Sequence, residues 1–224
     1  MNRVFIGYEP KQPLAYTVLQ HSIIRHASVP VAITPLMLKQ LPLKRRGLTE
    51  FTYSRYLVPW LCGFQGTAVF MDADIVVTGD IKELFDQVDP GKSVQVMQNQ
   101  AQFEWASVML FNNEKCAKLT PEFVEDPANR LFDMAWAEGV GTFTEDWNHC
   151  VGYMPPKEAK LYHFTQGLPC WHETAGLAED AAWKQEYEMA TATVAWADLM
   201  LNSVHAKAVL RRMMSKYTER PAVA

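Results

Sequence analysis

The sequence predicts an α/β fold, a sheet flanked by helices, closed by a helical C-terminal appendage. Three observations carry that expectation. Short apolar, β-branched runs alternate with helically spaced segments through most of the chain. One run, Thr67 to Met71, is apolar throughout, as a strand buried on both faces should be. Beyond about Ala178 only helical spacing remains.

The elements follow in order. Arg3 to Tyr8 is a β-type run ended by Gly7 and the turn-like Glu9-Pro10. Gln12 to Ala27 has helical spacing through Leu14, Val18, Leu19 and Ile23-Ile24. Val29 to Leu38 reads as a short or edge strand, because Pro30 and Pro35 each remove a ladder donor. Leu41 to Glu50 is a basic loop, and its Lys44-Arg45-Arg46 run is expected to be solvated. Tyr53 to Cys62 is a short helix that Pro59 kinks or starts anew. After the Thr67–Met71 strand come Asp72-Ala73-Asp74, the apolar Ile75-Val76-Val77, and a short helix from Ile81 to Val88. Val94 to Met97 and Trp105 to Phe111 are strand candidates, Leu131 to Ala137 a short helix, and Leu161 to Thr165 a last strand. In the tail, Trp183, Tyr187 and Ala190 are expected on one helical face, and Trp196, Leu199, Val204, Ala208 and Leu210 on another.

Composition excludes several classes of protein. Of 224 residues, 49% are apolar and 21% charged, which is ample for a core and argues against disorder. A formal net charge of -4 argues against a nucleic-acid partner. The four cysteines are scattered, without a CxxC pair, so free thiols in a reducing compartment are expected. The N-terminal run enters a strand directly, and no apolar run approaches the roughly 18 residues a bilayer span needs. A cytoplasmic location is the resulting expectation.

Phe70 to Val77, FMDADIVV, sets two carboxylates at the carboxyl end of a buried strand, where ligand sites of open α/β sheets lie. Asp72 and Asp74 are two apart, so a regular strand would point both to one side. Two carboxylates pointing together repel unless a cation lies between them or one is protonated. A hard divalent ion takes one or two carboxylates and completes its octahedron with phosphate oxygens and water. The pattern therefore suggests a metal site for a phosphorylated ligand, although an Asp pair after a strand is also ordinary turn chemistry.

The surrounding motifs narrow this. TEFTYSRYLVP, GTAVFMDADIVVTGDIKELF, WASVMLFNN, EDWN and YHFTQGLPCW occur in the order in which glycosyltransferase family 8 carries its motifs, and the chain resembles that family over about residues 3 to 172. The resemblance implies a GT-A-like, Rossmann-type mixed and mostly parallel sheet, with residues 1–177 as the catalytic domain and 178–224 as a helical extension packed on it. It implies an enzyme that moves a sugar from a nucleoside-diphosphate sugar, UDP being the expected nucleotide, to an acceptor hydroxyl of a saccharide, lipid-linked or protein acceptor, with retention. It implies Mn²⁺ or Mg²⁺ held by Asp72, Asp74 and His163. Donor contacts would come from Ile6, Gly7 and Tyr8 after the first strand, from Tyr53 and Arg55, from Ala73, and from Gln166 and Gly167. Trp147 and Asn148 would meet a sugar, as stacking ring and hydrogen-bond donor, or else serve as core and turn residues.

The sequence departs from the family pattern in three places. The Lys that the family carries just before Pro-Trp, where it touches the diphosphate, is absent from Gly167-Leu168-Pro169-Cys170-Trp171. That leaves Arg55 or the Gln166–Gly167 backbone for the role. Trp105-Ala106-Ser107 stands where the family has Asn-Ala-Gly, and no Asp-Gln-Asp motif is recognisable. Asp133, Glu145 and Asp146 lie in that region, and the latter two are the candidates for helping the acceptor.

Two other readings remain open. DADIVV fits the opening motif of the haloacid dehalogenase phosphatases, with Asp72 as nucleophile, but that motif normally follows the first strand and no late Lys with paired Asp accompanies it here. A non-catalytic sugar-nucleotide binder is the other. His149, Cys150, His163, Cys170 and His172 lack the spacing of a zinc site. The basic tail, with Lys207, Arg211, Arg212, Lys216 and Arg220 near Leu210, Met213, Met214 and Tyr217, is a solvated face or a weak membrane contact.

Overall fold

The computed structural model describes residues 1–98 and 102–193. The chain divides into two compact units, Met1–Glu186 and Tyr187–Ala224. The face expected at Trp196, Leu199, Val204, Ala208 and Leu210, and the basic tail from Lys207 to Arg220, lie outside the described residues.

The first unit begins with β1 (Asn2–Gly7), α1 (Pro13–His26) and β2 (Val31–Leu36). A 3-10 turn, Ser54–Leu57, runs into α2 (Val58–Leu61), and Pro59 sits in its first turn, where a missing N–H costs nothing. β3 (Thr67–Met71), β4 (Ile75–Val77) and α3 (Ile81–Phe85) follow. Asp80 caps α3 by accepting from the Lys82 N–H at 3.0 Å. Next come β5 (Val94–Gln95), β6 (Val108–Asn112), α4 (Pro121–Glu125), β7 (Val140–Gly141), β8 (His149–Cys150) and β9 (Leu161–His163). The last described element is α5 (Asp180–Thr193).

The main sheet has the order β2-β1-β3-β6-β5-β7. β1 pairs in parallel with both β2 and β3, whereas β6 runs antiparallel to β3 and β5. β2 is the edge, which is where Pro35 is tolerated. Period-2 alternation divides the central strands between two cores. Val4, Ile6, Val69, Met71, Val108 and Leu110 face one side with α1 and α3, and Phe5, Ala68, Phe70, Met109 and Phe111 face the other with Tyr56, Leu57 and Trp136. A second sheet, β4-β9-β8, pairs β4 antiparallel with β9.

Four expectations are corrected. Leu131 to Ala137 forms turns rather than a helix, because Met134 takes a left-handed φ of 56° that a helix cannot pass through. The strand expected from Trp105 starts at Val108, since Gln102–Ser107 is a 3-10 turn. In α1 the buried stripe is Ala15, Val18, Leu19, Ser22 and Ile23, while Leu14 and Ile24 are exposed. In α5, Tyr187 is 37% exposed and Glu186 is buried in its place, held by Arg25 of α1 at 2.7 Å and by His21. All four cysteines are free thiols. Among the described residues no helix is long and apolar enough to cross a membrane.

Candidate functional site

Two registers build the site. Ile6 pairs with Met71, so the chain leaving β1 runs beside the chain leaving β3. Ile75 pairs with His163, which brings the end of β9 against the start of β4. Asp72-Ala73-Asp74 is the short link on which the chain leaves the main sheet for the second one. The two carboxylates therefore converge by this crossing and not by strand alternation. The link is pinned at both ends: the Asp72 N–H donates to Ser107 O at 2.8 Å, and the Phe164 N–H donates to Asp74 O at 2.9 Å.

Asp72, Asp74 and His163 bring one ligand atom each to within 4.8 Å of one another. His163 Nε2 lies 3.3 Å from Asp74 Oδ1, and its Nδ1 faces Glu104 Oε2 at 3.7 Å. The Thr165 hydroxyl donates to the other oxygen of Glu104. Asp72 Oδ1 is buried without a hydrogen-bond donor and has only the ion pair with Arg55 Nη2 at 3.1 Å. Two carboxylates and one imidazole nitrogen are a donor set suited to a divalent cation. Burial pushes the Asp72 carboxyl up to about 7, and the Asp74 charge adds to this while Arg55 opposes it. At His163 burial disfavours the imidazolium, but the charge and hydrogen bond of Asp74 outweigh it and hold the group well above the usual histidine range.

The cluster opens into a cavity of about 670 Å³. Glu9, Lys11, Gln12, Phe51, Arg55, Gln166 to Leu168, Phe132 and Trp171 are among the residues that line it. Those last two rings are 47% and 56% exposed, which is unusual for large aromatics and suits a ligand with flat apolar faces.

Of the residues expected here, Arg55, Asp72, Ala73, Asp74, His163, Gln166 and Gly167 line the cavity. Gly167 holds a φ of +126° that a side chain rarely adopts. Ile6, Gly7 and Tyr8 are not among the lining residues. A Cβ on Gly7 would lie 2.4 Å from the Phe51 ring, so this glycine is what lets Phe51 reach its place. Tyr53 lies outside, its ring against Phe132 and beneath the Arg45 guanidinium. Arg45 also donates to the carbonyls of Val124 and Asp126, so the middle of the basic run is a structural staple.

Arg55 is buried, 7% exposed. Besides Asp72, it donates from Nη1 to Ala106 O at 2.6 Å and from Nε to Phe51 O at 3.3 Å, and it lies 4.8 Å from the Phe70 ring centre. Glu145 and Asp146 lie away from the cavity in ion pairs with Lys157 and Lys160. Trp147 is fully buried in the core, and Asn148, also buried, does not reach the cavity. Asn148 Nδ2 instead donates to Ser107 Oγ at 3.0 Å and Glu104 O at 3.3 Å, bracing the 3-10 turn that receives the Asp72 N–H. Replacing Asn148 by alanine is expected to destabilise the fold by about 1–3 kcal/mol through these unmade bonds. Chemical denaturation measures that cost, and an unchanged midpoint would count against the brace.

Two cavity residues have no signal in the sequence. Glu104 and Lys11 reach the site only through tertiary register, and neither belongs to a motif.

The fold and its acidic cluster define a GT-A glycosyltransferase. Residues 8–146 match the Glycosyl transferase family 8 model. Protein CDI of Arabidopsis thaliana is 31% identical over 240 residues, covering 90% of this chain and 85% of that protein. The chain belongs to glycosyltransferase family 8. Among solved structures, the glycosyltransferase GlyE of Streptococcus pneumoniae TIGR4 superposes with a TM-score of 0.62 at 15% identity, over 99% of this chain but only 65% of GlyE. The galactosyltransferase LgtC, solved with donor and acceptor sugar analogs, gives a TM-score of 0.60 at 14% identity, over 84% of this chain and 96% of that one. At these identities the two structures speak to the fold alone.

Proposed function

We propose that the chain transfers a sugar from a nucleoside-diphosphate sugar, with UDP the first nucleotide to test, to an acceptor hydroxyl with retention. The observation that carries this is the convergence of Asp72, Asp74 and His163 at the floor of a cavity large enough for a sugar nucleotide. Residues 1–177 would form the catalytic domain. Asp72, Asp74 and His163 would hold Mn²⁺ or Mg²⁺, which when bound neutralises charge on the leaving diphosphate.

The chain's own groups have separate tasks in this reading. Arg55 positions Asp72, since its guanidinium pairs with that carboxylate while donating to Ala106 O and Phe51 O. Phe132 and Trp171 offer flat surfaces to a base or a sugar ring. Glu145 and Asp146 are tied to lysines away from the cavity, so the acceptor proton is assigned to the departing diphosphate oxygen. The Arg55 ion pair likewise disfavours Asp72 as a phosphatase nucleophile.

Isothermal titration with UDP, with and without Mn²⁺, tests the reading, followed by a panel of UDP-sugars scored by mass spectrometry for hydrolysis. Indifference to every nucleotide removes it, and binding without turnover leaves a sugar-nucleotide binder. Proton linkage gives a second expected result. Cation binding needs an ionised Asp72 and a neutral His163, and both groups hold protons more tightly than usual. Mn²⁺ should therefore displace protons, and its affinity should fall below pH 7 by about tenfold per unit for each proton displaced. Calorimetry in buffers of different ionisation enthalpy reads the proton count, and no release at pH 6 would contradict the ligand assignment.

A further inference from the structure

The cavity is rich in carboxylates. Among the described residues, Glu9, Asp72, Asp74 and Glu104 line it against two permanent cations, Lys11 and Arg55. A divalent ion brings two positive charges against these four carboxylates, so a diphosphate entering there needs further positive groups. Arg55 is not that group, because its guanidinium is held by Asp72, Ala106 O and Phe51 O. The imidazole of His163 faces Asp74 and Glu104. The lining segment from His163 to Trp171 has none to give, since no Lys or Arg occurs between Lys160 and Lys184.

Lys11 remains. It is exposed, lines the cavity, and makes no hydrogen bond or ion pair among the described residues. Its place is fixed rather than incidental. The β1–β3 register sets the chain after Gly7 beside the acidic link. The turn Glu9–Gln12 is closed by the Gln12 N–H to Glu9 O at 2.8 Å, with Pro10 at its second position. Lys11 is the third residue of that stiffened turn. An ammonium without a counter-ion, held at the edge of an acidic cavity, is poised for a doubly charged anion.

We propose that Lys11 is the diphosphate-binding cation of this chain, supplied from the turn after β1. This rests on the sugar-nucleotide reading above and assigns a residue to its anionic subsite. The test is calorimetric binding, with Mn²⁺ present, of UDP, GDP, ADP, CDP and dTDP to the wild type, then of the tightest of these and of its bare nucleoside to Lys11→Met and Lys11→Arg. Thermal unfolding checks that each variant is folded. Lys11→Met should weaken the diphosphate about 10- to 100-fold, as loss of a charge-assisted contact does. It should leave the nucleoside unchanged and flatten the salt dependence of diphosphate binding, and Lys11→Arg should restore most of the affinity. Equal diphosphate binding by wild type and Lys11→Met overturns the assignment alone. Equal loss of diphosphate and nucleoside overturns it in favour of a structural role. Failure of the wild type to bind any of the five overturns the sugar-nucleotide reading and this proposal with it.

Discussion

Asp74→Asn is expected to reduce sugar transfer by about a thousandfold or more, since a cation that stabilises a leaving diphosphate contributes several kcal/mol. The substitution keeps the shape of the side chain and removes its charge. Asp74 is the better probe of the two aspartates. Its side chain is 30% exposed and its Oδ1 meets His163 Nε2 at 3.3 Å, so little of the fold depends on it. Stability should stay close to that of the wild type, or rise slightly, because one of two crowded carboxylates is gone. Nucleotide binding should become indifferent to Mn²⁺. Initial rates with and without added metal, beside a melting curve, decide the matter. A variant that keeps more than about a tenth of the activity, with its metal dependence intact, would remove Asp74 from the ligand set.

Arg55→Met should act first on the fold. It leaves the buried Asp72 carboxylate without its ion pair and takes the donors from Ala106 O and Phe51 O. Removing one member of a buried pair typically costs about 3–5 kcal/mol. For a domain of this size that corresponds to a melting point lowered by roughly 6–20 °C. Lysine should rescue only in part, because one ammonium cannot reach three acceptors arranged for a planar fork. The double variant Arg55→Met with Asp72→Asn should be more stable than Arg55→Met alone, since the stranded charge is then absent. Additive losses in that cycle would mean that the ion pair carries no coupling and that Arg55 has another task.

The sequence gives most of the sheet because its strands are buried on both faces and read as unbroken apolar runs. Thr67–Met71 is found to the residue, and Pro35 and Pro59 mark an edge strand and a helix start by the donors they lack. The expected helix at Leu131–Ala137 fails for a physical reason. Leu131 and Met134 have helical spacing because both are packed into the core beside Trp136, whose ring N–H donates to Leu131 O, and not because a helix carries them. In the site, the pairing of Asp72 and Asp74 with His163 follows from motif order, yet its cause is the crossing between two sheets. For Trp147 and Asn148 the sequence leaves two roles open, sugar contact or core and turn, because an aromatic and an amide beside two acids suit either; the fold puts Trp147 in the core and makes Asn148 a brace. Glu104 and Lys11 were beyond reach, since their neighbours come from strand registers that composition does not encode.

The pairing of β4 with β9 has a consequence for how the protein is kept folded. Asp74 and His163 enclose the whole middle of the chain, from the second aspartate of the acidic link to the last strand. A cation held by both would act as a removable cross-link across a long loop, closing it at little cost while present and releasing it when withdrawn. Such a clasp would slow local opening at the seam between β4 and β9 whenever the ion is bound.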